Sequence, residues 1–153
     1  MIRIVSSFTL VLLFFGCYAQ QTKQSDKEHK YELFFYPIGT PQNVRYSIIV
    51  NGDSIIAENH RAAEHNKKTY YVGKLSPQEK IELYSLYSKI TTAPVFKSNP
   101  SLLDTWAVSL IVDNKKIYEV DDFSFESPPE DIRKLIKYIV KIGVIKIKLH
   151  GFA

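Results

Sequence analysis

One cysteine, Cys17, is the only thiol in the chain, so no intramolecular disulfide can form. Its position near the start also leaves the body of the protein without cysteine chemistry. The sequence contains no G-x-S-x-G elbow, no Walker loop and no glycine-rich dinucleotide turn, so nothing supports a nucleotide enzyme or an elbow-type hydrolase. Charge of one sign is also scarce. Twenty Lys and Arg stand against sixteen Asp and Glu, a formal +4 that drops by one if Arg3 leaves with a leader. So small an excess points neither to nucleic acid nor to an anionic membrane as partner.

The 153 residues, 45% hydrophobic and 24% charged, match the composition of one globular domain able to fold without metals or cross-links. The first twenty residues follow a different pattern. Met1-Ile2-Arg3 is a short basic start, Ile4 to Phe15 is nearly all apolar, and small residues follow at Gly16, Cys17 and Ala19. This is the order of a secretory signal, and the apolar run falls short of the about 20 residues that span a bilayer. Leu13-Phe14-Phe15-Gly16-Cys17 resembles a bacterial lipobox, which would make Cys17 a lipidated first residue. Cys17-Tyr18-Ala19 also fits a plain cleavage site that would remove it. Either way the expectation is an exported protein, periplasmic or anchored in a bacterial envelope as a lipoprotein. It would comprise a signal peptide at 1–19, a polar tether at 20–30 and a single domain at 31–153.

Within that domain, Tyr31 to Tyr36, Val44 to Val50, Ser54 to Glu58 and Thr69 to Val72 read as strands, with Asn51-Gly52-Asp53 as a hairpin turn. Ser76-Pro77-Gln78-Glu79 is a capping box, which predicts a helix through Ile81, Leu83, Tyr84, Leu86, Tyr87 and Ile90. Thr105 to Val112 and Lys116 to Val120 form a second hairpin across Asp113-Asn114-Lys115. Ser127-Pro128-Pro129-Glu130 then reads as a second capping box, ahead of a helix with Ile132, Leu135, Ile136, Ile139 and Val140 on one stripe. Gly143 fits the C′ position of that helix, and Val144 to Leu149 could add a last strand. The predicted fold is α+β: an antiparallel sheet of about five to six strands with two amphipathic helices packed on one face.

Gly39, the run Tyr46 to Asp53, the Gly73-Lys74-Leu75-Ser76 helix entry, Asp104 and the hairpin at Asp113-Asn114 together resemble a family of uncharacterised bacterial exported domains. The resemblance spans about Glu32 to Ile142. In place of the family's cysteine and proline ahead of the tyrosine strand, this chain has Thr40-Pro41-Gln42-Asn43. The resemblance implies export and a small α+β envelope domain, and it implies no reaction.

Three groups of side chains could carry chemistry. Glu58, His60, Glu64 and His65 are metal-ligand types, but His60 to His65 is one residue longer than H-x-x-E-H. On a helix that insertion turns the second imidazole by about 100° away from the first. Glu119, Asp121, Asp122 and Glu126 could serve a hydrolase, though they lack the order of a calcium loop. Arg133, Lys134, Lys137, Lys141, Lys146 and Lys148 are basic, and read as the solvent face of a helix and a guarded edge. No catalytic residue, resident metal or cofactor follows from these patterns. The leading expectation is a non-enzymatic binding module that contacts another envelope protein or a glycan, touching a membrane only through lipid on Cys17. The alternatives are a hydrolase using Glu119 to Glu126, and a metal-binding periplasmic domain.

Overall fold

The computed structural model describes residues 28–37, 44–60, 69–98 and 105–147. The proposed leader with Cys17, most of the tether, the loops holding Gly39, Glu64, His65 and Asp104, and Lys148 to Ala153 lie outside the described residues.

Seven strands form one sheet: β1 (Lys30–Pro37), β2 (Tyr46–Asn51), β3 (Ser54–Asn59), β4 (Thr69–Lys74), β5 (Val95–Lys97), β6 (Trp106–Val112) and β7 (Lys115–Val120). Helix α1 (Pro77–Ser88) follows β4, and α2 (Glu130–Ile142) follows β7. The strand order is β4-β3-β2-β1-β6-β7-β5. Strands β1 to β4 form an antiparallel meander, and the β6–β7 hairpin pairs with the free side of β1. The expected antiparallel sheet of five or six strands is therefore a mixed sheet of seven, because β5 lies parallel to β7 at the edge. Three residues after Pro94 are too few for alternation to reveal a strand.

Turn chemistry sets the two hairpins. Gly52 has φ 61° while Asp53 stays out of the left-handed region, the arrangement of a two-residue loop with glycine first. Asp113 and Asn114 both have positive φ, 50° and 63°, as the mirror-image turn that matches strand twist requires. An irregularity in register between Leu110 and Ile111 then pairs Ile111 with Lys116 and Leu110 with Tyr118. The extra residue, Ile117, reverses the alternation: Tyr118 enters the core and Glu119 turns to the other face.

The core face carries Leu33, Phe35, Ile48, Val50, Ile55, Ala57, Val108, Leu110 and Tyr118, all nearly inaccessible. Helix α2 seals it with Ile132, Leu135, Ile136, Ile139 and Ile142. Helix α1 contributes one fully buried residue, Leu83, with Leu86, Tyr87 and Ile90 packed partly against the cluster. Ile81 is 56% exposed, because two residues from Leu83 is about 200° around a helix. The helices thus share a sheet face, but only α2 has the expected strong amphipathic stripe.

The caps differ as well. The box at Ser76 forms: the Ser76 amide donates to Glu79 Oε2 at 2.7 Å and the Glu79 amide to Ser76 Oγ at 3.3 Å. The second box does not form. Pro129 is the N-cap of α2 without a side-chain cap, and Ser127 Oγ instead donates to the Ser124 carbonyl at 2.8 Å. A residue before proline is driven out of the helical region, so Pro128, ahead of Pro129, cannot serve as the first helical residue. At the far end Gly143 is right-handed (φ −68°), and the left-handed residue is Val144 (φ 60°). Residues 144–147 form no strand, although Ile145 is buried.

Candidate functional site

The sheet face away from the helices holds the most organised set of polar and aromatic side chains. Register places Glu58 beside Ser47, Ser47 beside Phe34, Phe34 beside Ser109, Ser109 beside Glu119 and Glu119 beside Phe96. About Phe34 the inner row is symmetric, running Glu–Ser–Phe–Ser–Glu across five strands. Phe96 at its end is 58% exposed, and both serines are buried. The neighbouring row, Val72, Ile56, Ile49, Glu32 and Ile111, is mostly aliphatic, with Val72 57% exposed.

Among the described residues each carboxylate of this face has a hydrogen-bonding or ionic partner. Glu32 meets Lys30 Nζ at 2.8 Å, Glu58 meets His60 Nε2 at 2.9 Å, and Glu119 meets Lys116 Nζ at 2.7 Å. The Tyr36 hydroxyl donates to Glu119 at 3.1 Å. Burial, and after it the charge of Glu119, pushes that hydroxyl well above the usual phenol range, so Tyr36 keeps its proton and acts as donor.

Ser47 Oγ lies 3.1 Å from the same His60 Nε2 that meets Glu58. A serine–histidine–acid relay needs the acid on one ring nitrogen and the serine on the other. With the carboxylate accepting at Nε2, that nitrogen carries a proton and cannot take one from Ser47. The trio is a polar clamp holding the end of β3 to β2. Glu58 and Glu119 are no acid–base pair either. Four strand spacings of about 4.8 Å put them roughly 19 Å apart, beyond the 5–10 Å that two-carboxylate glycoside chemistry uses.

The predicted acids of the β7–α2 connection separate. Glu119 lies on the open face, Asp121 accepts from Ser98 Oγ at 2.9 Å, Asp122 is exposed with φ 60°, and Glu126 meets Lys137 at 2.5 Å and Arg133 at 3.4 Å. The hydrogen bond from Lys137, followed by its charge, holds the Glu126 carboxyl below its ordinary value. The basic residues of α2 are correspondingly engaged, Lys134 with Glu130 at 2.6 Å and Lys141 6.0 Å from the Tyr138 ring. Of the four metal candidates Glu58 and His60 are described and meet each other, and among the described residues no three His, Cys, Asp or Glu side chains gather to hold an ion. A cleft of about 580 Å³ opens between β5, β7 and the segment leading to α2, over Val95, Tyr118 and Val120. Among the described residues no helix is long and apolar enough to cross a membrane.

Sequence reading singles out Glu58 only as a possible metal ligand, and Ser47 and Ser109 not at all. Their only signal is alternation within strands, and the row exists only once the register is known. In comparisons with family models, curated proteins and solved structures, nothing matches this chain.

Proposed function

We propose that this protein is an exported, non-enzymatic binding module that docks another protein on the sheet face opposite the helices. The observation that carries this reading is the pairing of an acceptor row, Glu58 to Glu119, with an aliphatic row, Val72 to Ile111. Such a surface suits a partner element with an apolar flank and a flank of donors. Branched aliphatic side chains favour a protein over a glycan, and the row of carboxylates disfavours phosphate backbones. A second copy of the chain fits poorly in register: a two-fold along or across the row that stacks Phe34 on Phe34 brings carboxylate against carboxylate. Export rests on the leader-like first nineteen residues and their resemblance to those of envelope proteins.

A photo-crosslinking side chain at position 72 or 96, compared with one at position 137 on the helix side, tests this in intact cells. A discrete protein adduct from 72 or 96 and none from 137 is expected. Equal labelling from both faces would refute the docking surface.

A further inference from the structure

His29 stands immediately before β1 and is nearly enclosed, its side chain 9% exposed. Its Nδ1 lies 2.7 Å from Asp113 Oδ2 in the β6–β7 turn. Three tyrosine rings complete the enclosure. Tyr84 of α1 stacks on the imidazole at 5.7 Å and 22°, Tyr87 of α1 meets it at 4.9 Å and 65°, and Tyr31 of β1 at 6.1 Å and 62°. Burial raises the Tyr31 and Tyr87 hydroxyls above the usual phenol range, with Asp113 adding to it in both, so these two tyrosines stay uncharged beside the Asp113 carboxylate. One stacked tyrosine face and two further tyrosine rings set edge-on at about 5–6 Å, closed by a carboxylate, form an environment that attracts cations.

We propose that Tyr31, Tyr84, Tyr87 and Asp113 form a binding site for a planar group bearing an N–H donor, and that His29 is its built-in occupant. The geometry selects the ligand class. The nearly parallel Tyr84 ring calls for a flat group, and the Asp113 oxygen for an N–H at hydrogen-bond distance, so imidazolium and guanidinium groups fit. Quaternary ammonium offers neither. A second contact seats His29 there: Asp113 Oδ1 accepts from the Lys30 amide at 3.0 Å, and the Asp113 amide donates to the Lys30 carbonyl at 2.9 Å. The site therefore fastens the chain that enters β1 to helix α1 and to a turn more than eighty residues away. A partner's arginine or histidine would have to displace His29 to enter it.

Replacement of His29 by glycine empties the box in the full chain. The variant is expected to melt roughly 5–10 °C below the parent. Imidazole at tens of millimolar, buffered slightly below neutrality, should recover about half of that loss, as a ligand bound only by the folded state does. Tetramethylammonium and toluene should recover none, and His29→Gly/Asp113→Asn should lose the imidazole response. Equal recovery with toluene, no recovery with imidazole, or recovery that survives Asp113→Asn would each overturn the site. If His29→Gly does not fold, Tyr84→Ala in a chain that keeps His29 provides the test. The His29 ring-proton resonance, displaced by the facing tyrosine, should return towards the free-histidine position, and an unmoved resonance would be fatal to the proposal.

Discussion

A Cβ built on Gly143 would lie 2.8 Å from Ile48 Cδ1, closer than carbon atoms approach in folded proteins. Gly143 has right-handed backbone angles that alanine also adopts, so its role is to let the end of α2 press on the middle of β2. Ile48 is buried and has little room to yield. Gly143→Ala should therefore destabilise the fold by about 1–2 kcal/mol, despite the better helix propensity of alanine. Ile48→Val removes the clashing methyl and on its own costs about 1 kcal/mol. The double variant should be more stable than the sum of the two by at least ~0.5 kcal/mol in a urea-denaturation cycle.

Val144 makes the opposite case. It is β-branched, has φ 60° and is 66% exposed, so it bears left-handed strain without burial in return. Val144→Gly should raise stability by about 1 kcal/mol, read as a higher Tm. An unchanged or lower Tm would mean that the valine side chain makes a contact outweighing the strain.

Asp131 ties the two helices together. Its carboxylate accepts from the Thr91 and Thr92 amides at 3.0 Å and from Thr92 Oγ1 at 2.8 Å, joining the turn after α1 to the first turn of α2. Partial burial alone would raise its pKa, but the donors of Thr92, with those of Ile132 and Thr91, outweigh that and hold the carboxyl below its ordinary value. A lowered folded-state pKa contributes stability that is fully present above the unfolded value of about 3.9 and is lost as pH falls through the folded value. Urea midpoints should accordingly fall as pH drops below about 4, and Asp131→Asn should flatten that slope. Asp131→Ala should cost about 2 kcal/mol at neutral pH, because the Thr91, Thr92 and Ile132 amides lose their acceptor.

Ser76→Ala tests the one capping box that forms. Removing the hydroxyl that accepts from the Glu79 amide should lower stability by about 1 kcal/mol and increase hydrogen exchange in the first turn of α1.

Local signals carried much of the architecture. The Ser76 box, the positive-φ turns at Gly52 and at Asp113-Asn114, and the stripe from Ile132 to Ile139 each rest on side chains within a few residues of one another. Such short-range chemistry can be read along a chain. The second capping box failed for an equally local reason, since Pro128 precedes another proline. Strand β5 was hidden because three residues give no period. The bulge at Ile117 and its consequence, Tyr118 inward and Glu119 outward, depend on pairing with β6 and leave no mark in the order of residues.

The row centred on Phe34 and the enclosure of His29 belong to the same class. Phe34, Ser47 and Ser109 become neighbours only when three strands align, and His29 meets Asp113 across 84 positions of sequence. Sequence by itself determined most of the elements, two tight turns and the helix stripe that covers the sheet, because those follow from periodicity and backbone preference over a few residues. Tertiary structure alone decided which side chains share a surface, because register and long-range packing are set by the collective burial of the core.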